Sequence, residues 1–131
     1  GLDKHLTLAL GCLNLSSLKL KICSTAHLPQ PLILTGSSLE VASSSGSPLG
    51  LFPTVDYKDY TCTLSPNSQL CFASDGVLEV MPAQGLQAKN QAWQDLVMAK
   101  QAKLTLLEAA LKQPANGWPD DLTLMTLSPS A

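Results

Sequence analysis

Leu70-Cys71-Phe72-Ala73-Ser74-Asp75-Gly76 is the stretch whose reading decides the fold, because residues that read as a buried strand run without a break into an acid and a glycine. A buried charge is expensive unless it is paired or bound to a metal, so a carboxylate closing an apolar strand marks Asp75 as the place to look for chemistry. Ser-Asp-Gly is also a common way to leave a strand. The stretch alone therefore admits a turn or a site.

Working back toward the start of the chain, strand patterns dominate. Leu6 to Leu13 is apolar at nearly every position, which predicts a strand covered on both faces, with Gly11 leaving room for a close neighbour. Asn14 to Ser17 reads as a hairpin turn. It leads into Leu18-Lys19-Leu20-Lys21-Ile22, whose period of two predicts one buried and one wet face. Leu32 to Thr35 and Leu39 to Val41, joined through Gly36, form a second hairpin. Ser43 to Ser47 is a small-residue loop, and Pro48 to Pro53 is apolar but too rich in breakers for a regular element. Lys58 to Leu64 alternates again, with Tyr60, Cys62 and Leu64 on one face, and Ser65 to Ser68 turns it directly into the Leu70 strand. The sheet read this way is antiparallel throughout.

Beyond Gly76 the period changes. Val77 to Met81 predicts a short helix closed by Pro82 and Gly85, and Trp93, Leu96 and Val97 place an apolar stripe on a helix over Gln87 to Lys100. Thr105 and Glu108 have the spacing of a capping box, opening a helix with Leu107, Ala110 and Leu111 inward, which Pro114 to Pro119 ends. Asp120 to Leu127 reads as a last strand that begins with two acids. Gly1 to His5 has the look of an internal or artificial start, so the chain reads as cut from something longer.

Composition narrows the function. The chain has 131 residues, enough for one domain with a real core and too few for two ordinary ones. Its net charge of -2, lack of arginine and scattered lysines argue against nucleic acid as a partner. No apolar run approaches the roughly 20 residues that a membrane helix needs, and nothing resembles a signal peptide. The expected compartment is the cytoplasm. Cys12, Cys23, Cys62 and Cys71 are widely spaced in apolar segments, as small buried hydrophobes are; their spacing, even with His5 and His27 added, resembles no structural zinc module. At 45% hydrophobic and 14% charged residues, the composition leans toward an unusually apolar surface or a partner that covers one.

A strand ending at Asp75 and one starting at Asp120 place both acids at one end of a sheet if they pair antiparallel. Two hard carboxylate ligands suit Mg2+ or Mn2+, and Gly76 would let a cation and its waters approach the backbone. The alternative is that Asp120 and Asp121 merely cap the start of a strand after Pro119.

Four segments in order resemble one family. Ser24-Thr25-Ala26-His27-Leu28-Pro29-Gln30-Pro31-Leu32 is similar to Asn-Ala-Gly-His-x-Pro-x-Leu, and Gly46-Ser47-Pro48-Leu49-Gly50-Leu51 to Gly-x-Pro-Leu-Gly-Leu. Ser74-Asp75-Gly76-Val77 with Glu79 is similar to Thr-Asp-Gly-Val-x-Glu, and Asp120-Asp121-Leu122-Thr123-Leu124 to Asp-Asp-Ile-Thr-Leu. These are motifs of the SpoIIE-like and RsbU-like serine/threonine phosphatases, relatives of phosphatase-2C. The resemblance implies an α+β fold, part of an α-β-β-α sandwich with mainly antiparallel sheet and helices toward the C-terminus. It also implies a dinuclear Mg2+ or Mn2+ site whose metal-bound water attacks a phosphoserine or phosphothreonine. By resemblance Asp75 and Asp120 hold metal, with Gly76 and Asp121 adjacent. The family's earlier Asp-x-x-Gly-His-Gly segment, which bridges both metals, has no counterpart here, so the chain reads as the C-terminal part of the domain and is expected to show little or no activity alone. The apolar Ser74 to Pro82 run looks most like the output domains of RssB-like response regulators, implying a phosphoprotein or sigma-factor regulator as partner. Bare sheet faces and edges predict self-association. A phosphatase-like binding module without catalysis is the alternative function. His27 is expected to be a packed or turn-stabilising residue rather than a catalytic one.

Overall fold

The computed structural model describes residues 6–44, 46–111, 117, 118 and 120–129. Two antiparallel sheets and a helical layer build the fold. The strands are β1 (Leu8–Leu13), β2 (Lys19–Thr25), β3 (Leu32–Thr35), β4 (Ser38–Val41), β5 (Tyr60–Thr63), β6 (Ser68–Ala73) and β7 (Leu124–Leu127). The helices α1 (Gly76–Glu79), α2 (Leu86–Ala99) and α3 (Leu104–Ala110) fall between β6 and β7. One sheet has the order β1-β2-β5 and the other β4-β3-β6-β7.

The alternation in β2 does what its period predicts: Leu20 and Ile22 are buried while Lys19 and Lys21 are exposed. With Ile33, Leu64 and Leu70 they form the core between the two sheets. On the other face of the four-stranded sheet, Leu32, Leu34, Cys71 and Ala73 meet Trp93, Val97 and Leu107 of the helices. The observed layers are therefore sheet, sheet, helices. The β1–β2 turn is held by Asn14, whose Oδ1 accepts the amides of Ser16 and Ser17, both at 2.9 Å. Burial pushes the Cys71 thiol up to about 11. No described helix is long and apolar enough to cross a membrane.

Several sequence expectations need correction. β1 is not covered on both faces. It is an edge strand, and its outward residues Leu8, Leu10 and Cys12 are exposed, Leu10 by 64%, with no described element over them. An apolar run records that cover is wanted without saying what supplies it. Cys12 is accordingly no buried hydrophobe, and Cys23 and Cys62 are only half-buried. Gly11 does not make way for a tight neighbour, since a Cβ there would meet the Phe72 ring at an ordinary 3.6 Å. β5 and β6 do not pair with each other: β5 lies against β2 and β6 against β3, so the Ser65 turn carries the chain from one sheet to the other. The capping box does not form. Lys103 is the N-cap of α3, and Thr105 sits inside the helix with no side-chain cap bond. The last strand starts at Leu124, not at Asp120. The expected helix end at Pro114 to Pro119 falls largely, and the chain start at Gly1 to His5 wholly, outside the described residues.

The sandwich is closed on one side and open on the other. Tyr60 of β5 donates to the Glu40 carboxylate of β4, tying the two sheets along that edge. Burial first, and that hydrogen bond second, raise the Tyr60 phenol well above its ordinary range. Along the opposite edge, β1 and β7 flank a cavity of about 460 Å³ lined largely by apolar side chains, among them Leu8, Leu13, Phe72, Met125 and Leu127.

Candidate metal centre

β6 and β7 pair antiparallel with Ala73 opposite Leu124, so the residues after β6 and before β7 emerge at the same end of the sheet. Asp75 is the N-cap of α1 and exposed; its backbone is helical and its side chain makes no cap bond, so the carboxylate is free of the helix it precedes. Asp120 is also exposed, and its Oδ1 accepts the Asp121 amide at 2.7 Å. The two segments touch through Gly76. A Cβ placed on it would lie 2.3 Å from the Asp121 carbonyl oxygen and 3.5 Å from that of Asp120. The open side of Gly76 is thus filled by the backbone of the second acidic segment, which is a different reason for glycine from the close approach of a cation.

Motif segments far apart in sequence converge here. His27, half-buried, donates from Nε2 to the Ala73 carbonyl at 3.0 Å, one residue before the Ser-Asp-Gly segment. The Ala26 amide donates to the Gly46 carbonyl at 3.0 Å, bringing in the loop between β4 and β5. Ser74, to which sequence reasoning assigned no role, bonds both Asp121 and Thr123.

The carboxylates themselves line separate cavities. Asp75 lines a cavity of about 460 Å³ with His27, Glu79 and Lys89, whereas Asp120 and Asp121 line another of about 260 Å³ with Glu108 and Trp118. Among the described residues no group of three or more His, Cys, Asp or Glu side chains is placed to hold a metal ion. The donors suit Mg2+ or Mn2+ in kind, being hard oxygens, but not in number.

The family model for Stage II sporulation protein E (SpoIIE) matches residues 1–129. No curated protein matches the sequence. Among solved structures, the RsbU and RsbW domains of Rv1364c from Mycobacterium tuberculosis superpose with a TM-score of 0.75 at 24% identity, over 93% of this chain and 35% of that one. The manganese-presoaked phosphatase domain of the cell fate determinant SpoIIE from Bacillus subtilis gives a TM-score of 0.72 at 16% identity, over 95% of this chain and 56% of that one. The same domain in a crystal form without domain swapping gives 0.65 at 20% identity, over 92% and 54%. The fold is that of a phosphatase-2C-like domain, mixed α+β with antiparallel sheets. The chain belongs to the SpoIIE family. It spans between 35% and 56% of the length of these three solved chains.

Proposed function

We propose that this chain is the C-terminal part of a metal-dependent protein serine/threonine phosphatase domain in which Asp75 and Asp120 contribute carboxylates to a Mg2+ or Mn2+ site completed by acids from outside the chain. The observation that carries the reading is the seating of the Asp120-Asp121 backbone against Gly76, which brings two exposed acids to one end of the β6–β7 pair. Bound there, the metal would supply an activated water for attack on a phosphoester. The residues of this chain hold the acids in place, through Ser74, Gly76 and the Ala73–Leu124 pairing. The resemblance to RssB-like response regulators supports a cytoplasmic protein whose substrate is a regulatory phosphoprotein in a sigma-factor pathway. In the full-length protein, Asp75→Asn is expected to lower Mn2+-dependent dephosphorylation by at least about 100-fold, beyond the usual cost of losing an outer-shell partner of a metal. Unchanged turnover would refute the catalytic reading.

The second reading is a phosphatase-like module that recruits a sigma factor or its antagonist without turnover, with the two acids as remnants. Partner capture by the full-length protein carrying both Asp75→Asn and Asp120→Asn separates the two, since intact capture from a protein that never had turnover supports the module.

Either reading leaves the groove between β1 and β7 to be covered. Among the described residues the outer edges of β1 and β7 have no strand partner, and with exposed Leu8, Met125 and Leu127 they are a template for pairing. The isolated chain is expected to self-associate through this side. Light scattering over a dilution series checks it, and a constant mass of 13.8 kDa at every concentration would count against it.

A further inference from the structure

Past the last ladder pair of β6 and β7, Ser74 continues the contact by itself. Its amide donates to the Thr123 carbonyl at 2.9 Å. Its Oγ accepts the Thr123 amide at 2.8 Å and donates to the Asp121 carbonyl at 3.2 Å. One hydroxyl thus spans two positions of the opposing segment, using both its donor and an acceptor lone pair. The carbonyl it grips is the one that fills the space over Gly76. The Asp121 amide is in turn closed on the Asp120 carboxylate at 2.7 Å. A continuous series of hydrogen bonds therefore runs from the residue before Asp75 to the side chain of the second acid.

We infer that Ser74 is a positioning residue, whose hydroxyl sets where the Asp120-Asp121 segment stands relative to Asp75. Its consequence for metal rests on the function proposed above; its consequence for the backbone does not. Ser74 is half-buried while Asp121 and Thr123 are exposed, so water can take over both bonds when the hydroxyl is removed and the fold survives. What water cannot do is hold the two segments at one spacing. A site that draws one acid from each segment depends on that spacing, as metal sites depend on the groups that orient their ligands. Threonine keeps the hydroxyl and its bonding capacity, so Ser74→Thr is the matching rescue.

The experiment uses the full-length protein, unsubstituted and carrying Ser74→Ala or Ser74→Thr. Amide hydrogen exchange, read by NMR, is expected to quicken at Thr123 in Ser74→Ala while the amides within β6 keep their protection. Binding of Mn2+ alone, followed by the paramagnetic resonance of the free ion, is expected to weaken about 10-fold with the melting temperature held. Ser74→Thr restores both. A merely structural role would instead lower melting temperature and affinity together. Thr123 exchange or Mn2+ affinity at the unsubstituted value in Ser74→Ala overturns the inference, as does a loss that Ser74→Thr leaves unrepaired. Should the unsubstituted protein bind no Mn2+, the proposed function falls. Exchange at Thr123 then decides alone: quickening in Ser74→Ala that Ser74→Thr reverses upholds the role of Ser74, and its absence removes it.

Discussion

Trp93→Ala is expected to lower the unfolding free energy by about 3–5 kcal/mol, the usual cost of deleting a large buried aromatic. Trp93 is 1% exposed and sits on the inward face of α2, between the helical layer and the four-stranded sheet. It is also the largest fully buried side chain among the described residues. Alanine would leave a cavity flanked by the β3 side chains and Val97, and close packing lets such a space collapse only in part. Against the about 5–15 kcal/mol that typically separates folded from unfolded states, this is a large fraction, equivalent to a fall of about 10–20 °C in melting temperature. Trp118 provides the internal comparison. It is 40% exposed and outside both core clusters, so Trp118→Ala should stay within about 0.5 kcal/mol of the unsubstituted protein. Urea unfolding of the two variants checks both values, and equal losses would mean that α2 does not anchor the helical layer. The loss should reach the site as well, because α1, which starts at Gly76, packs against α2.

What could be read from residues alone is what depends on neighbours along the chain. The alternation of Leu20 and Ile22 with lysines, the Asn14 turn and the spacing of Trp93 and Val97 are each set locally, and each element appears where its period places it. The errors lie where a distant surface decides. Ser65 to Ser68 has the chemistry of a tight turn whether it closes a hairpin or crosses between sheets. The choice fell to the partners, Leu20 opposite Cys62 in one sheet and Ile33 opposite Leu70 in the other. β1 reads as fully covered because sequence records the demand for cover and not its source. Thr105 and Glu108 have the spacing of a cap, but the N-cap of α3 is Lys103, two residues earlier, so Thr105 lands inside the first turn. For the site, Asp75 stands out as a charge after an apolar strand, and Asp120 as one of two acids opening the last strand, which antiparallel pairing would carry to the same sheet end; the order of the motif segments adds to both. Ser74 was invisible because a serine at a strand end looks like any turn residue. The one available signal was its place immediately before Asp-Gly, where a hydroxyl can reach across to the neighbouring strand.

Gly76→Ala is expected to cost about 1–3 kcal/mol, the range for forcing extra volume into a packed position, and to weaken metal binding out of proportion to that loss. The obstacle is backbone, not a flexible side chain. The new methyl would stand 2.3 Å from the Asp121 carbonyl oxygen and 3.1 Å from its carbon, and neither can rotate away. Relief requires the start of α1 to move away from the Asp120 to Thr123 segment. That motion stretches the bonds from Ser74 to Asp121 and Thr123 and moves Asp75 away from Asp120. Gly11→Ala makes the contrast, since its methyl would meet the Phe72 ring at 3.6 Å, ordinary contact. Strand alanine is preferred over strand glycine by about 0.5–1 kcal/mol, so this variant should be neutral or slightly more stable. Unfolding in urea and titration with Mn2+, run on both variants of the full-length protein, test the argument. If Gly76→Ala matched Gly11→Ala in both measurements, the seating of Asp121 on Gly76 would not be what brings the two acids together, and the proposed function would lose the observation that carries it.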